Sequence, residues 1–103
     1  MTIQEETFRQ TCYQALSTYQ GKVKSVTGPG RSGVIAAVYA SHFLGIPFIP
    51  LLSKKFLHPI LVIDTAMYSG RTLRKAQRKI GAEYSLAIFQ EPPLIKFWYE
   101  YAK

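Results

Sequence analysis

Apolar residues recur at helical spacing in the first segment. Phe8, Cys12, Ala15, Leu16 and Tyr19 fall three and four positions apart within residues 3–19. That period puts them on one face and predicts an amphipathic helix with its stop at Gly21. The pattern then changes. Residues 22–27, KVKSVT, alternate charged and apolar side chains and run into a glycine-rich turn, as a half-buried strand does. Residues 34–44, VIAAVYASHFL, are apolar almost all round, which predicts a helix laid against a sheet. Gly45 ends it, and residues 46–52, IPFIPLL, predict a strand. Pro47 and Pro50 each remove a ladder donor, so this strand belongs at an edge.

Residues 59–64, PILVID, form the clearest strand, a short β-branched run that is apolar on both faces, as buried parallel strands are. A turn containing Tyr68-Ser69-Gly70 follows, then a helix over 72–80 with Leu73, Ala76 and Ile80 as its apolar stripe. Gly81 caps it, residues 84–89 predict another strand, and the aromatic, basic tail after Pro92-Pro93 predicts one short helix. Strand–turn–helix units in this order build parallel sheets with right-handed crossovers. The fold class expected is α/β, an open and mostly parallel sheet of about four strands with helices on both faces. One link does not fit. No helix lies between Leu52 and Ile60, although a parallel crossover takes about a dozen residues or more. The pattern leaves open whether residues 46–52 pair parallel or antiparallel.

A chain of 103 residues buries roughly two-thirds of its extended surface on folding, enough for one sheet with its covering helices. The expectation is therefore a single domain spanning residues 1–103. With 48% hydrophobic and 18% charged residues, the composition argues against disorder. No apolar run approaches the ~20 residues of a membrane span. The opening MTIQEETFRQ lacks a basic region followed by an apolar stretch, so the protein is expected to be cytoplasmic. Cys12, the one cysteine, forms no internal disulfide, which fits a reducing compartment. The formal net charge is +7. It reads as a solvated basic surface, as a site for small polyanions or as a nucleic-acid surface, and composition does not separate these.

The chemistry gathers at two strand-to-helix turns. The first is Gly28-Pro29-Gly30-Arg31-Ser32-Gly33. The second is Asp64-Thr65-Ala66-Met67-Tyr68-Ser69-Gly70-Arg71-Thr72. In a parallel sheet both emerge at the carboxyl ends of strands, where ligands bind. Each helix start offers unpaired N–H groups and the positive end of a dipole to an anion. Gly28, Gly30 and Gly33 also have dinucleotide-fold spacing, but the acid that such a fold needs about 20 residues on is missing. At the second turn Asp64 can accept hydrogen bonds from ribose hydroxyls, while the 68–72 N–H groups with the Ser69 and Thr72 hydroxyls can wrap a phosphate. Each bond to a charged oxygen contributes roughly 1.5–3 kcal/mol. The plainer alternative is that Asp64, Ser69 and Thr72 only cap a turn and a helix.

In order and spacing, ILVIDTAMYSGRT at 60–72 resembles the signature of the type I phosphoribosyltransferase family. VTGPGRSG at 26–33 resembles that family's pyrophosphate loop. The similarity covers about residues 23–91, and the resemblance implies a core at about 22–91. It also implies the ligands, phosphoribosyl diphosphate with Mg²⁺ and a nucleobase or nucleotide. The 5′-phosphate would sit in the 68–72 turn, Asp64 would hold the ribose hydroxyls and act as the catalytic residue, and Thr65 to Thr72 would line that subsite. Gly28 to Gly33, with Arg31 supplying charge, would hold the diphosphate, and Lys54 and Lys55 could reach it. Mg²⁺ would be held through substrate oxygens rather than directly by the protein, and Asp64 could also contact it. The reaction would replace diphosphate at the anomeric carbon by a nucleobase nitrogen, through an oxocarbenium-like transition state.

Three departures qualify the match. Thr65 stands where the family usually has a second acid, as in uracil-type members. The stretch at 53–58, SKKFLH, is short where the family has a long mobile loop. The base-selecting hood is reduced to the first helix and the tail at 97–101, where Trp98 or Tyr99 could stack a base or simply pack on the core. The readings to be weighed are an active, homodimeric transferase, a non-catalytic sensor or sequestering protein of the same fold, and, ranked third, a basic nucleic-acid-binding module. His42 and His58 have no partner at metal-ligand spacing, and Cys12 reads as core. Arg74, Lys75, Arg78 and Lys79 read as a solvated face.

Overall fold

The computed structural model describes residues 1–100. Its elements in chain order are β1 (Thr2–Ile3), α1 (Glu5–Leu16), β2 (Ser25–Thr27), α2 (Gly30–Leu44), β3 (Ile60–Met67), α3 (Arg71–Ile80), β4 (Tyr84–Gln90) and β5 (Lys96–Phe97). The central sheet is β2-β3-β4, parallel throughout, and β1 pairs β5 in a separate two-stranded parallel sheet. This is the expected α/β class.

Helix α1 buries Phe8, Cys12 and Leu16 at successive i+4 positions, as the apolar spacing required. It starts at Glu5 rather than residue 3, because Ile3 pairs with Phe97 instead. The residues expected to be its last turn form a 3₁₀ turn, Ser17–Tyr19. Tyr39 ties α1 to α2 by donating its hydroxyl hydrogen to Glu5 Oε2 at 2.8 Å. Desolvation, followed by that bond, pushes the Tyr39 phenol up to about 12. Burial alone pushes the Cys12 thiol up to about 12, so Cys12 stays a neutral core side chain at physiological pH.

Residues 46–52 form no strand. Only Phe48 bridges Val26, and it does so in parallel, with Val26 N–H donating to Pro47 O and Ile49 N–H to Val26 O. Pro47 and Pro50 have no donors with which to extend the ladder, so the edge position holds as a single bridge. The missing crossover helix has a replacement. Leu51 and Phe56 pack on the cluster of Ile60, Val62, Leu73 and Ala76, while Ser25 Oγ donates to Leu57 O at 2.7 Å and Lys24 N–H to Pro59 O. The irregular segment thus lies across the face that a helix would otherwise cover.

The chain runs from β2 through α2 to the Phe48 edge, then crosses to β3 on the other side of β2. Val26, Leu61 and Ile63 face α1 and α2, and Ile60 and Val62 face α3. The strand order therefore reverses between β2 and β3, and the helices that follow them cover opposite faces. The tail is not the expected helix. Lys96–Phe97 pairs with β1, and a 3₁₀ turn, Trp98–Glu100, follows. Phe97 and Trp98 pack with Phe8 in the α1/α2 core. Tyr101 lies outside the described residues.

Two glycines hold the crevice closed at its base. A Cβ built on Gly28 would lie 2.0 Å from Gly33 O and 2.7 Å from Ile63 O, and one on Gly33 would lie 2.7 Å from Gly28 C. The first turn therefore packs backbone to backbone on both α2 and β3. Gly28→Ala should destabilise the fold by about 3 kcal/mol, the upper end of overpacking costs. In thermal unfolding it should lower Tm by roughly 10 °C or more. Gly30→Ala has open space around its Cβ and only its positive φ to strain, so it should cost about half as much.

Candidate anion-binding site

Strand β3 runs through Asp64 to Met67, so the second turn is shorter than its motif suggests. Asp64 sits within the strand rather than at its end, and only Tyr68 to Gly70 turn. Gly70, at φ +77°, is the N-cap of α3, and its left-handed backbone is one that L side chains rarely adopt. Gln90, at the end of β4, shapes the exit from the strand, its Nε2 donating to Met67 O at 3.1 Å and Tyr68 O at 3.2 Å. Ser69 Oγ accepts from Arg71 N–H at 3.3 Å, so part of the capping alternative is realised.

The turn encloses a cavity of about 170 Å³ lined by Asp64, Ala66, Met67, Tyr68, Ser69, Gly70, Arg71, Thr72 and Leu73. That volume suits a single anionic group better than a whole nucleotide, since drug-sized ligands fill about 300–1,000 Å³. Arg71 is the cationic side chain that lines it, while Arg74 Nη1 donates to Ser69 O at 3.2 Å and lines a separate groove with Gln77 and Arg78. A second cavity, of about 310 Å³, shares Asp64 and Ala66 with the first and adds Ser32, Thr65, Glu91, Leu94, Ile95, Phe97 and Glu100. Asp64 thus stands between a small anion-sized space and a larger one bounded by the tail.

Burial raises the Asp64 carboxyl above its ordinary range. Hydrogen bonds from Thr65 oppose this, the backbone N–H reaching Oδ1 at 2.7 Å. Thr65 itself is buried and points to the opposite face of the strand, where its Oγ1 lies 3.3 Å from Tyr99 Oη. An acid in its place would be buried under the tail. Thr27 Oγ1, paired in register with Val62 two residues before Asp64, is buried with no hydrogen-bond partner among the described residues.

No protein-family model matches the sequence, and no curated protein matches it. Solved structures do match. A purine phosphoribosyltransferase from Pyrococcus horikoshii superposes with a TM-score of 0.70 at 18% identity, over 95% of this chain and 92% of that one. A xanthine-guanine-hypoxanthine phosphoribosyltransferase from Helicobacter pylori does so with a TM-score of 0.68 at 16% identity, over 98% and 95%. The chain has the phosphoribosyltransferase fold.

Within that fold the expected site residues separate. Asp64 and Ala66 to Thr72 come together around the small cavity. Ser32 joins Asp64 and Thr65 at the larger one. Gly28, Gly30 and Arg31 line a third, mostly apolar groove with Val34, Ile35, Pro50, Leu51 and Leu52. Pro29 is the N-cap of α2, and Gly30 to Gly33 form its first turn rather than a free loop. Lys54 lines another groove with His58, Lys79 and Ile80, at the opposite end of β3 from Asp64; Lys55 is exposed on the same segment. Trp98 packs on Phe8 and Tyr39 rather than facing either cavity. Arg74, read from the sequence as part of a solvated face, lines a separate groove with Gln77 and Arg78. Gln90 is the residue that sequence reading missed, because only the β3–β4 pairing brings it to the turn.

With its folded value raised, Asp64 lends most stability when protonated, and loses that contribution as pH rises through the folded value. Asp64→Asn should therefore raise Tm at pH 7. The gap to wild type should close as pH falls toward the ordinary aspartate value of 3.8. Thermal melts of both proteins across pH check this.

Proposed function

We propose that the protein binds phosphoribosyl diphosphate with Mg²⁺ and transfers the phosphoribosyl group to a nucleobase, releasing diphosphate. The observation carrying this reading is the position of Asp64, held between an anion-sized cavity at the start of α3 and a larger cavity that Ser32 of α2 also lines. The 5′-phosphate would take the first cavity, accepting N–H bonds from the start of α3, with Arg71, which lines that cavity, adding charge. Asp64 would accept from the ribose hydroxyls through the oxygen that Thr65 N–H leaves free. It would thereby fix the sugar and set negative charge beside the anomeric carbon as positive charge develops there. A nucleobase nitrogen would form the new bond to that carbon as the bond to diphosphate oxygen breaks, and the nitrogen's proton would be lost.

Among the described residues no group of three His, Cys, Asp or Glu could hold a metal ion. A Mg²⁺ carried by diphosphate and ribose oxygens would neutralise the leaving group's charge. Asp64, which lines the larger cavity together with Glu91 and Glu100, would be a protein neighbour of that ion.

One observation favours the non-catalytic alternative, a sensor or sequestering protein with the same ligand. Residues 53–58, the stretch expected to close over the reacting atoms, lie in the crossover at the far end of β3, so they supply no lid to exclude water.

Calorimetry with phosphoribosyl diphosphate and Mg²⁺, followed by diphosphate release over a panel of nucleobases, separates the readings. Binding with turnover on one base is expected. Heat without turnover on any base would leave the sensor, and no heat would sink both. Asp64→Asn should abolish the heat while leaving the protein folded. Arg71→Gln should weaken binding about 3- to 10-fold, as loss of an exposed charge-assisted contact does, with the difference shrinking at high salt.

A further inference from the structure

The 3₁₀ turn after β5 places one side chain at the crevice to which neither cavity assigns a part. Trp98 goes to the core, but the Tyr99 ring stacks on Phe97, centroids 5.5 Å apart and 6° from parallel. The Trp98 ring meets it edge-on at 5.1 Å. Held by these two rings, Tyr99 Oη lies 2.9 Å from Ser32 Oγ and 3.3 Å from Thr65 Oγ1. Ser32 belongs to the first turn of α2, and Thr65 adjoins Asp64 on β3. A phenol hydroxyl donates one hydrogen bond and also accepts, so one oxygen can serve both neighbours. It spans the two elements to which the phosphoribosyl diphosphate reading gives the diphosphate and the ribose.

This link adds to the backbone packing at the base of the crevice. Helix α2 meets the sheet through Ala36, Ala37 and Ala40, and Gly28, just before it, packs backbone to backbone on Gly33 and Ile63. An aromatic ring stacked on one neighbour and met edge-on by another is a rigid strut with few torsions to lose. Order of that kind in the free protein lowers the cost of binding a ligand that must reach both elements at once.

We propose that Tyr99 is a positioning residue that sets the separation of the two turns. A sugar carrying both a 5-phosphate and an anomeric diphosphate then gains from its hydroxyl, and one carrying the 5-phosphate alone does not. This rests on the phosphoribosyl diphosphate reading of the site. It replaces base stacking as the part played by this residue, because the ring face is already occupied by Phe97.

Tyr99→Phe keeps the ring and both aromatic contacts and removes only the oxygen. In calorimetry with Mg²⁺ it should weaken phosphoribosyl diphosphate binding about 3- to 10-fold, the loss of one neutral hydrogen bond, and change ribose 5-phosphate binding by less than about two-fold. Ser32→Ala should weaken phosphoribosyl diphosphate at least as much, and adding Tyr99→Phe to it should cost nothing further. Thermal melts of each variant separate a lost contact from a lost fold. If Tyr99→Phe unfolds, Thr65→Val takes its place, since it keeps the side-chain shape and removes the other partner of the Tyr99 hydroxyl. A wild-type-like result there overturns the proposal, and a ligand-selective loss upholds it. Equal losses for both ligands, no loss for either, or additive losses in the double variant would each overturn it. If the wild type binds no phosphoribosyl diphosphate, the reading of the site fails and this inference with it. If it binds and Tyr99→Phe is indifferent, only the inference fails.

Discussion

The arrangement depends on β2 and β3 lying side by side and parallel while the helices that follow them leave to opposite faces of the sheet. That geometry opens a crevice at the carboxyl ends of the two strands and puts two helix starts at its rim. The backbone packing of Gly28 against Gly33 and Ile63 allows it, since any side chain there would push α2 away from β3. Asp64 then lies between the anion-sized cavity and the larger one because β3 continues past it to Met67, rather than ending at it.

The crevice carries a cost in stability. A carboxylate at Asp64 is held where burial disfavours its charge, and Thr27 Oγ1 is buried without a partner among the described residues. An unsatisfied buried hydroxyl costs about 1–3 kcal/mol. Both groups lie on the α3 face of the sheet, close to where a polar ligand would enter. Such costs are the usual mark of a site shaped for a ligand rather than for the free protein.

The departures from the phosphoribosyltransferase signature have local packing reasons. Residues 51–59 cover a sheet face without forming a helix, so they are not free to act as a lid. The tail fills the α1/α2 core with Phe97 and Trp98, and its Tyr99 hydroxyl reaches Ser32 and Thr65, so one segment both packs the core and links α2 to β3. Thr65, in the slot of the usual second acid, is buried beneath that tail. A polar neutral side chain fits there, and a carboxylate would need a charge partner that the surroundings lack.

The local pattern by itself determined the elements with strong periodicity and the two turns. Phe8, Cys12 and Leu16 announce their helix, the apolar run before Asp64 its strand, and Ser69-Gly70-Arg71-Thr72 the start of α3, because spacing and backbone preference act over a few residues. The likeness of residues 26–33 and 60–72 to one family pointed to the fold that the superpositions show. What depends on distant residues was decided by tertiary structure alone. Ile3 leaves its helix for Phe97, residues 46–52 shrink to one bridge, and Gly30 to Gly33 become helix. Lys54 moves away from the crevice, and Tyr99 and Gln90 reach it from 34 and 23 or fewer positions along the chain. Each outcome turns on which segments share a face or an edge. A pairing of that kind depends on the free energy of the whole fold, and no short stretch of sequence contains it.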